Sequence, residues 1–512
     1  MVSPNVKDLL LAQRLEPQQV AALFSPYGFR DTAKADANLQ AMAGEPSERE
    51  LLADILEELL ACASRSADPD QALNYFERFA QAAMNKTRLF SYLKESPQII
   101  DLLARTLGGS AYMSEILIRD PHHFYWVTDP QTLRTARKKR EIRRELMQTL
   151  KVLEDEQKQL DYLRFFKRKE TLHIGVRDLL RLCPVEDTLT ALSILADGLI
   201  LAAYWICATA LRRQYGIPRT AFTGYTILAM GKLGGSELNF SSDVDLIYLY
   251  ASDKEEAASM SAAEYFRRLS QKITAGLNDL TGAGYVYRVD LRLRPEGFGG
   301  IAVPLDGFER YCQSRLRTWE RLAFLKARPV AGSRALGAAF LQMAQPFVYN
   351  LPFDRNALED VRSMKRQIDE LMSVRQQRDR NVKLGAGGIR EIELIAQSMQ
   401  ARHGGRIAQI RERNTFQALN ALCAHSLISP EEYETLTKAY LFLRDVENKL
   451  QMVNDAQTHS LPRDHEELNT SARLLGYSGA EPFLKDYQHH TGHVKLIFEK
   501  RFPSQADILP PL

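Results

Sequence analysis

Asp243 and Asp245 stand one residue apart in SSDVDLIYLY, and Asp290 lies in YRVDLRLRP among Arg288, Arg292 and Arg294. Residues two apart in a strand share a face, so the first pair projects both carboxylates to one side while Val244 and Leu246 point to the other. Two like charges this close are costly unless a cation neutralises them, and hard oxygen ligands suit magnesium or manganese. A bare Asp-x-Asp is common on surface strands and turns. Here the apolar run at 246–250 makes it informative, because charges at the mouth of a buried strand sit where ligands gather. Strict alternation predicts a second strand over 285–294, with Arg288, Asp290, Arg292 and Arg294 on one face and Val289, Leu291 and Leu293 on the other. In isolation that strand reads equally well as an exposed, salt-bridged one. Joined to the first, it supplies a third carboxylate. Three carboxylates on neighbouring strands can hold two ions about 4 Å apart and align an attacking oxygen with a polyphosphate. Arg292 and Arg294 would neutralise phosphate oxygens, and Gly234, Gly235 and Ser236 would offer backbone amides to phosphate as an anion nest.

The elements that must position these groups follow from the pattern around them. Residues 224–253 read as two short apolar strands joined by a glycine-rich turn, followed by a helix over 261–280. The strand at 285–294 is ended by Pro295 and the GFGG loop at 297–300. The nearly all-apolar stretch 189–213 belongs inside a core, where it is expected to back the sheet. Upstream, the chain to about residue 168 is helical in pattern, broken at Gly108-Gly109 and at Asp120-Pro121. Seven basic residues between 134 and 144 read as the solvated face of a charged helix. Beyond 345 the pattern is helical again, with Tyr433, Leu436, Tyr440, Leu443, Val446, Leu450 and Val453 in one seam. The expected fold class is α+β and mostly helical: an N-terminal helical region at 1–160, the chemistry-bearing domain at 161–345 and a C-terminal helical bundle at 346–512.

Composition narrows the function classes. The 512 residues are 45% apolar and 26% charged, which excludes disorder, and a net charge of +3 gives no global field for nucleic acid. The five cysteines are far apart and form neither a disulfide framework nor a zinc pattern. The N-terminus lacks the pattern of a secretory signal, and the longest uncharged apolar run, 198–211, is too short to cross a bilayer. A cytoplasmic protein with neither membrane nor nucleic acid as partner is expected. Trp319, Glu320, Lys326 and Arg328 read as a snorkelling helix surface. His489, His490 and His493 have no acidic or cysteine companion and read as a solvated helix rather than a metal site.

Four blocks in order, GKLGGSELNFSSDVDLI (231–247), YRVDLRLRP (287–295), WERLAFLKAR (319–328) and KLGAGGIREIE (383–393), resemble the glutamine synthetase adenylyltransferase and adenylyl-removing enzymes. RFFKRKETLHIGVRD (164–178) is similar to the helical segment preceding their catalytic domain, so the resemblance covers residues 164–459. It implies a DNA polymerase β-like nucleotidyltransferase domain flanked by helical domains. Asp243, Asp245 and Asp290 would be the catalytic metal ligands, and Gly234, Gly235 and Ser236 would face the nucleotide phosphates. Lys383, Arg390, Glu391 and Glu393 would lie at the site rim. Magnesium or manganese is implied as cofactor, with ATP, ADP and phosphate as substrates or products. Glutamine synthetase is the implied protein substrate, and a nitrogen-signalling regulatory protein a further partner. Family enzymes carry two catalytic halves; this chain contains one. Its KLGAGGIREIE block looks more like the adenylyl-removing half, since the transferring half typically has an acidic or different residue where Ala386 and Arg390 stand. Release of AMP from a tyrosine by phosphorolysis is therefore favoured over ATP-dependent adenylylation. A non-catalytic nucleotide-sensing module is more remote, because it would have no need of all three carboxylates.

Overall fold

The apolar runs on either side of the glycine turn pair as antiparallel strands, β1 (Tyr225–Ala229) and β2 (Val244–Tyr250), with Tyr225 opposite Tyr250 and Ala229 opposite Leu246. In this computed structural model, residues 5–252, 254, 256–257, 260–295 and 300–503 are described. The first four residues of the N-terminal segment and residues 297–299 of the GFGG loop lie outside them. Three further strands complete the sheet: β3 (Val289–Asp290), β4 (Ala302–Pro304) and β5 (Arg328–Gly332). β5 runs antiparallel to β1, with a register shift between Ile227 and Leu228. β3 and β4 both run parallel to β2, β3 at its first residues and β4 at its last.

Both faces of this sheet are covered, which is why β1 is buried at every position. Tyr225 stacks on Tyr204 of helix Val185–Tyr215 and on Phe266 of helix Ala262–Asn278. Its neighbour Thr226, on the opposite face by the two-residue period, lies against Gly337 of helix Arg334–Gln345. The helix expected over 261–280 starts at its cap, where the Ser261 side chain accepts from the Glu264 amide. Helix Val185–Tyr215 backs β5 as expected, and at 31 residues it is long and apolar enough to cross a membrane. The uncharged run 198–211 understated its length, because the helix continues past polar residues at both ends. Most of its apolar window is buried. Its Asp197, 4% exposed, accepts two bonds from Arg328 at 2.7 and 2.9 Å and one from Lys139 at 2.7 Å, the arrangement of a core helix.

The chain folds into two compact units built from interleaved segments. The first comprises Met1–Ala136, Arg168–Pro184 and Asn448–Lys485 and is built of helices. Helix Pro97–Gly109 stops at the glycine pair and helix Ala111–Arg119 stops before Asp120. Ser110 joins them, accepting from the Met113 amide and donating to the Met452 carbonyl at 2.6 Å. Asp178 and Lys449 form a buried ion pair in the same unit. The second unit comprises Arg137–Lys167, Val185–Glu447 and Asp486–Leu512 and contains the sheet. Residues 346–447, expected in a C-terminal bundle, belong to this unit with the aspartates. The seam at 433–453 is helix Pro430–Met452, whose Leu436, Tyr440, Leu443 and Val446 are buried. His489, His490 and His493 lie on helix Ala480–Arg501, where His490 stacks on Phe442.

Candidate active site

The parallel pairing of β2 with β3 sets Val244 beside Val289 and Asp245 beside Asp290. Asp243 immediately precedes β2, so the three carboxylates singled out in the sequence meet at one end of two adjacent strands. Asp245 is the most enclosed electrostatically. Burial, then the charges of Asp290 and Asp243, push its carboxyl up to about 6, although Lys383 and Lys232 pull the other way. An acid raised in this way marks a place short of positive charge.

Two arginines already answer the other carboxylates. Arg288 donates from Nε to Asp243 Oδ1 at 2.7 Å and from its other nitrogens to the Ser241 carbonyl and the Tyr285 hydroxyl, which fixes the orientation of Asp243. Asp290 accepts from Arg292 twice over, from the backbone amide at 2.8 Å and from the guanidinium at 2.9 Å. Burial would raise Asp290, but these bonds outweigh it and hold the carboxyl below its ordinary value. The same bonds explain why the second strand is shorter than its alternation predicts. A carboxylate that captures the amide two residues on closes a local turn, which competes with the ladder. The strand ends at Asp290, and Arg292 and Arg294 stand in a turn, with Arg294 donating to the carbonyls of Leu291 and Gly300. The expectation of three arginines on one strand face is corrected accordingly.

As the side chains stand, no three His, Cys, Asp or Glu groups among the described residues form a ready cage for a metal ion. By donor chemistry the three aspartates fit a hard divalent cation, and the raised Asp245 carboxyl is the observation that asks for one.

The glycine turn works differently from the nest expected of it. The amides of Gly234, Gly235 and Ser236 donate within the loop, to the carbonyls of Met230, Gly231 and Leu233. Gly234 and Gly235 are small for packing: a Cβ at Gly234 would lie 2.1 Å from the Lys326 carbonyl, and one at Gly235 would lie 2.7 Å from Glu237 Oε1. The glycine that serves the carboxylates is Gly231, which sequence reasoning passed over. Its φ is +54°, and a Cβ there would lie 2.4 Å from Asp245 Oδ2. A glycine directly after an apolar strand was the available signal. Its neighbour Lys232 was also missed. Burial lowers the Lys232 ammonium to about 8 against the opposing pull of Glu447, whose Oε1 lies 2.8 Å from Nζ.

Of the four residues assigned to a rim in KLGAGGIREIE, Lys383 and Arg390 are half-buried, and the charge of Lys383 reaches Asp245. Glu391 and Glu393 are not rim residues. Glu391 is buried against Lys365 at 2.8 Å. Glu393 belongs to a buried hub in which Lys326 Nζ donates to Glu393 Oε1 at 2.7 Å, to Glu237 Oε1 at 2.5 Å and to Thr415 Oγ1 at 3.1 Å. The Tyr440 hydroxyl donates to Glu237 Oε2 at 2.7 Å. Lys326 and Glu320 are thus interior residues, 5% and 2% exposed, where a snorkelling surface was expected. Both ends of each charge find partners inside, which is the condition for burying them.

Residues 100–343 match the family model described as glutamate-ammonia ligase adenylyltransferase, and residues 362–502 match the one described as GlnD PII-uridylyltransferase. The chain is 41% identical over 355 residues to a bifunctional glutamine synthetase adenylyltransferase/adenylyl-removing enzyme of Xanthomonas campestris pv. campestris (strain B100), a match covering 68% of this chain and 37% of that protein. An enzyme of the same name from Nitrosomonas europaea is 39% identical over 363 residues, 69% of this chain and 39% of that protein. One from Stenotrophomonas maltophilia (strain R551-3) is 44% identical over 311 residues, 59% and 33% respectively. The matched stretch spans between a third and two fifths of the length of these curated relatives.

Proposed function

The chain belongs to the glutamine synthetase adenylyltransferase/adenylyl-removing family, and from that premise we propose that it is a metal-dependent nucleotidyltransferase acting on a tyrosine of glutamine synthetase. The observation that carries the reading is the parallel register that brings Asp245 beside Asp290, with Asp243 two residues before Asp245. On this reading the sheet and its covering helices form a DNA polymerase β-like nucleotidyltransferase domain. Asp243, Asp245 and Asp290 would hold magnesium or manganese. When bound, such ions neutralise developing charge on the phosphoryl oxygens and on both exchanging oxygens.

The chain's own residues have separable tasks. Arg288 holds Asp243 in place, and Gly231 leaves the space that Asp245 occupies. Lys383 and Arg390 bring positive charge for a phosphate group, and Arg292 is the exposed side chain able to leave Asp290 as a ligand arrives. The favoured direction is removal of AMP. A phosphate oxygen attacks the phosphorus of adenylyl-tyrosine, the new P–O bond gives ADP, and the bond to the tyrosyl oxygen breaks as that oxygen takes up a proton. Ala386 and Arg390 in KLGAGGIREIE support this direction over ATP-dependent transfer to the tyrosine. The likeness of residues 362–502 to a PII-uridylyltransferase model supports a nitrogen-signalling protein as a further partner.

The test is ADP release from adenylylated glutamine synthetase with magnesium and phosphate. Asp243→Asn should lower it by at least about a hundredfold. Equal release from wild type and variant would overturn the assignment of Asp243. Label transfer from ATP to unmodified synthetase, with no phosphorolysis, would reverse the direction while keeping the site.

A further inference from the structure

Helix Ile389–His403 carries Arg390 and Glu393 in its first turns. Further along it, Ile395, Ser398, Met399 and Arg402 open onto a separate cavity of about 330 Å³. That volume lies at the lower end of the range for small-molecule sites, about 300–1,000 Å³. The apolar wall is formed with Phe353 and Phe502. Two polar atoms of residues that line it lack a hydrogen-bond partner and have almost no accessible surface as the side chains stand: the hydroxyl of Ser398, a residue only 4% exposed, and Nε of Arg501. The remaining nitrogens of Arg501 are engaged, one with Glu432 and one at 3.6 Å from the Met399 sulfur. Lys500 lies 3.3 Å from the same Glu432 carboxylate, and Arg402 has no ion-pair partner among the described residues. Three cations, Arg402, Lys500 and Arg501, therefore face one carboxylate, an excess of two positive charges.

A buried hydroxyl and a buried guanidinium N–H without partners are costly, and a ligand acceptor relieves both. We propose that this cavity binds a small organic anion, a carboxylate on an aromatic or branched apolar body. The body packs against Ile395, Phe353 and Phe502, and the carboxylate sits beneath the charges of Arg402, Lys500 and Arg501, where rotation of the Ser398 and Arg501 side chains turns Oγ and Nε toward it. The cavity shares no lining residue with the aspartate cluster, so the inference stands whichever reaction that cluster performs. Ser398 follows Glu393 by five residues, about 7.5 Å along one helix, so an occupant bears on the element that carries Arg390.

The test is calorimetric titration of the full chain with 3-phenylpropionate and with 3-phenylpropan-1-ol, which has the same shape without the charge. The acid is expected to saturate with a Kd below about 1 mM, and the alcohol to bind at least about tenfold more weakly. Arg402→Glu changes an exposed side chain, leaving the fold intact, and should weaken the acid at least about tenfold while leaving the alcohol unchanged. Ser398→Ala should weaken the acid without moving the alcohol. Equal affinity for acid and alcohol, undiminished binding of the acid to Arg402→Glu, or no saturable binding of either would overturn the proposal.

Discussion

Two charged clusters of the same unit lie within one stretch of sheet and helix, and they are built to opposite rules. Around Lys326 each ammonium and carboxylate is paired, and only Nε of Arg444 and Oδ1 of Asn239 lack a hydrogen-bond partner. Lys326, Arg444 and Lys232 are matched by Glu237, Glu393 and Glu447 through bonds at 2.5 to 2.8 Å, with Tyr440, Thr415 and Asn239 taking further oxygens. At the strand end Asp243 is paired with Arg288 and Asp290 with Arg292, and it is Asp245 that is left open. Asp245 lies beside Asp290 and Asp243, and its carboxyl is pushed up to about 6, whereas Lys326 and then Arg390 overcome burial to hold Glu393 at about 2. The difference separates carboxylates answered inside the fold from one left short of positive charge, which is what the proposed ligand role of the aspartates requires. A buried group fully answered by the protein has nothing left to offer, and a group left short of positive charge binds cations at some expense of stability.

The comparison breaks most sharply at Lys326. Lys326→Met should cost about 3–5 kcal/mol, because Glu237 and Glu393 would stay buried without their cation; urea denaturation reads it, and a loss below that of an exposed pair would mean that the hub is not closed. Next comes pH. The folded value of Glu393 is depressed, so its contribution is fully present above its unfolded value of about 4.5 and is lost as pH falls toward about 2. Glu393→Gln should lower the melting temperature at pH 7, and its difference from wild type should shrink between about pH 5 and pH 2. A constant difference across that window would contradict the assignment.

The open cluster gives smaller changes in stability. Gly231→Ala places a methyl where Asp245 Oδ2 lies, at a positive φ, and should cost about 1–2 kcal/mol and weaken magnesium-dependent ADP release together. Activity retained in full would show that the space at Gly231 does not serve the carboxylate. Smallest in stability is Asp245→Asn, which relieves repulsion and should stabilise the metal-free chain by about 1 kcal/mol while abolishing transfer. Destabilisation by that change would place Asp245 with the closed cluster.

The sequence by itself determined the aspartate constellation. Alternation with period two and the apolar run after Asp245 are local properties, and they were sufficient to single out Asp243, Asp245 and Asp290, to place the helix at 262–278 and to bury the one at 185–215, whereas the parallel pairing that sets Asp290 beside Asp245 belongs to the tertiary structure. Local chemistry also limited the reading. Asp290 captures the Arg292 amide and ends its strand there, which alternation does not encode because a side-chain bond overrides a backbone preference. Only the tertiary structure decided which charges are interior. Glu237 and Lys326 are 89 residues apart, Lys326 and Glu393 are 67 apart, and Lys232 and Glu447 are 215 apart. A lysine on a helix reads as solvated until the fold delivers two carboxylates to its ammonium, and no spacing along the chain signals that delivery. The same holds for Gly234 and Gly235, whose smallness serves the Lys326 carbonyl and Glu237.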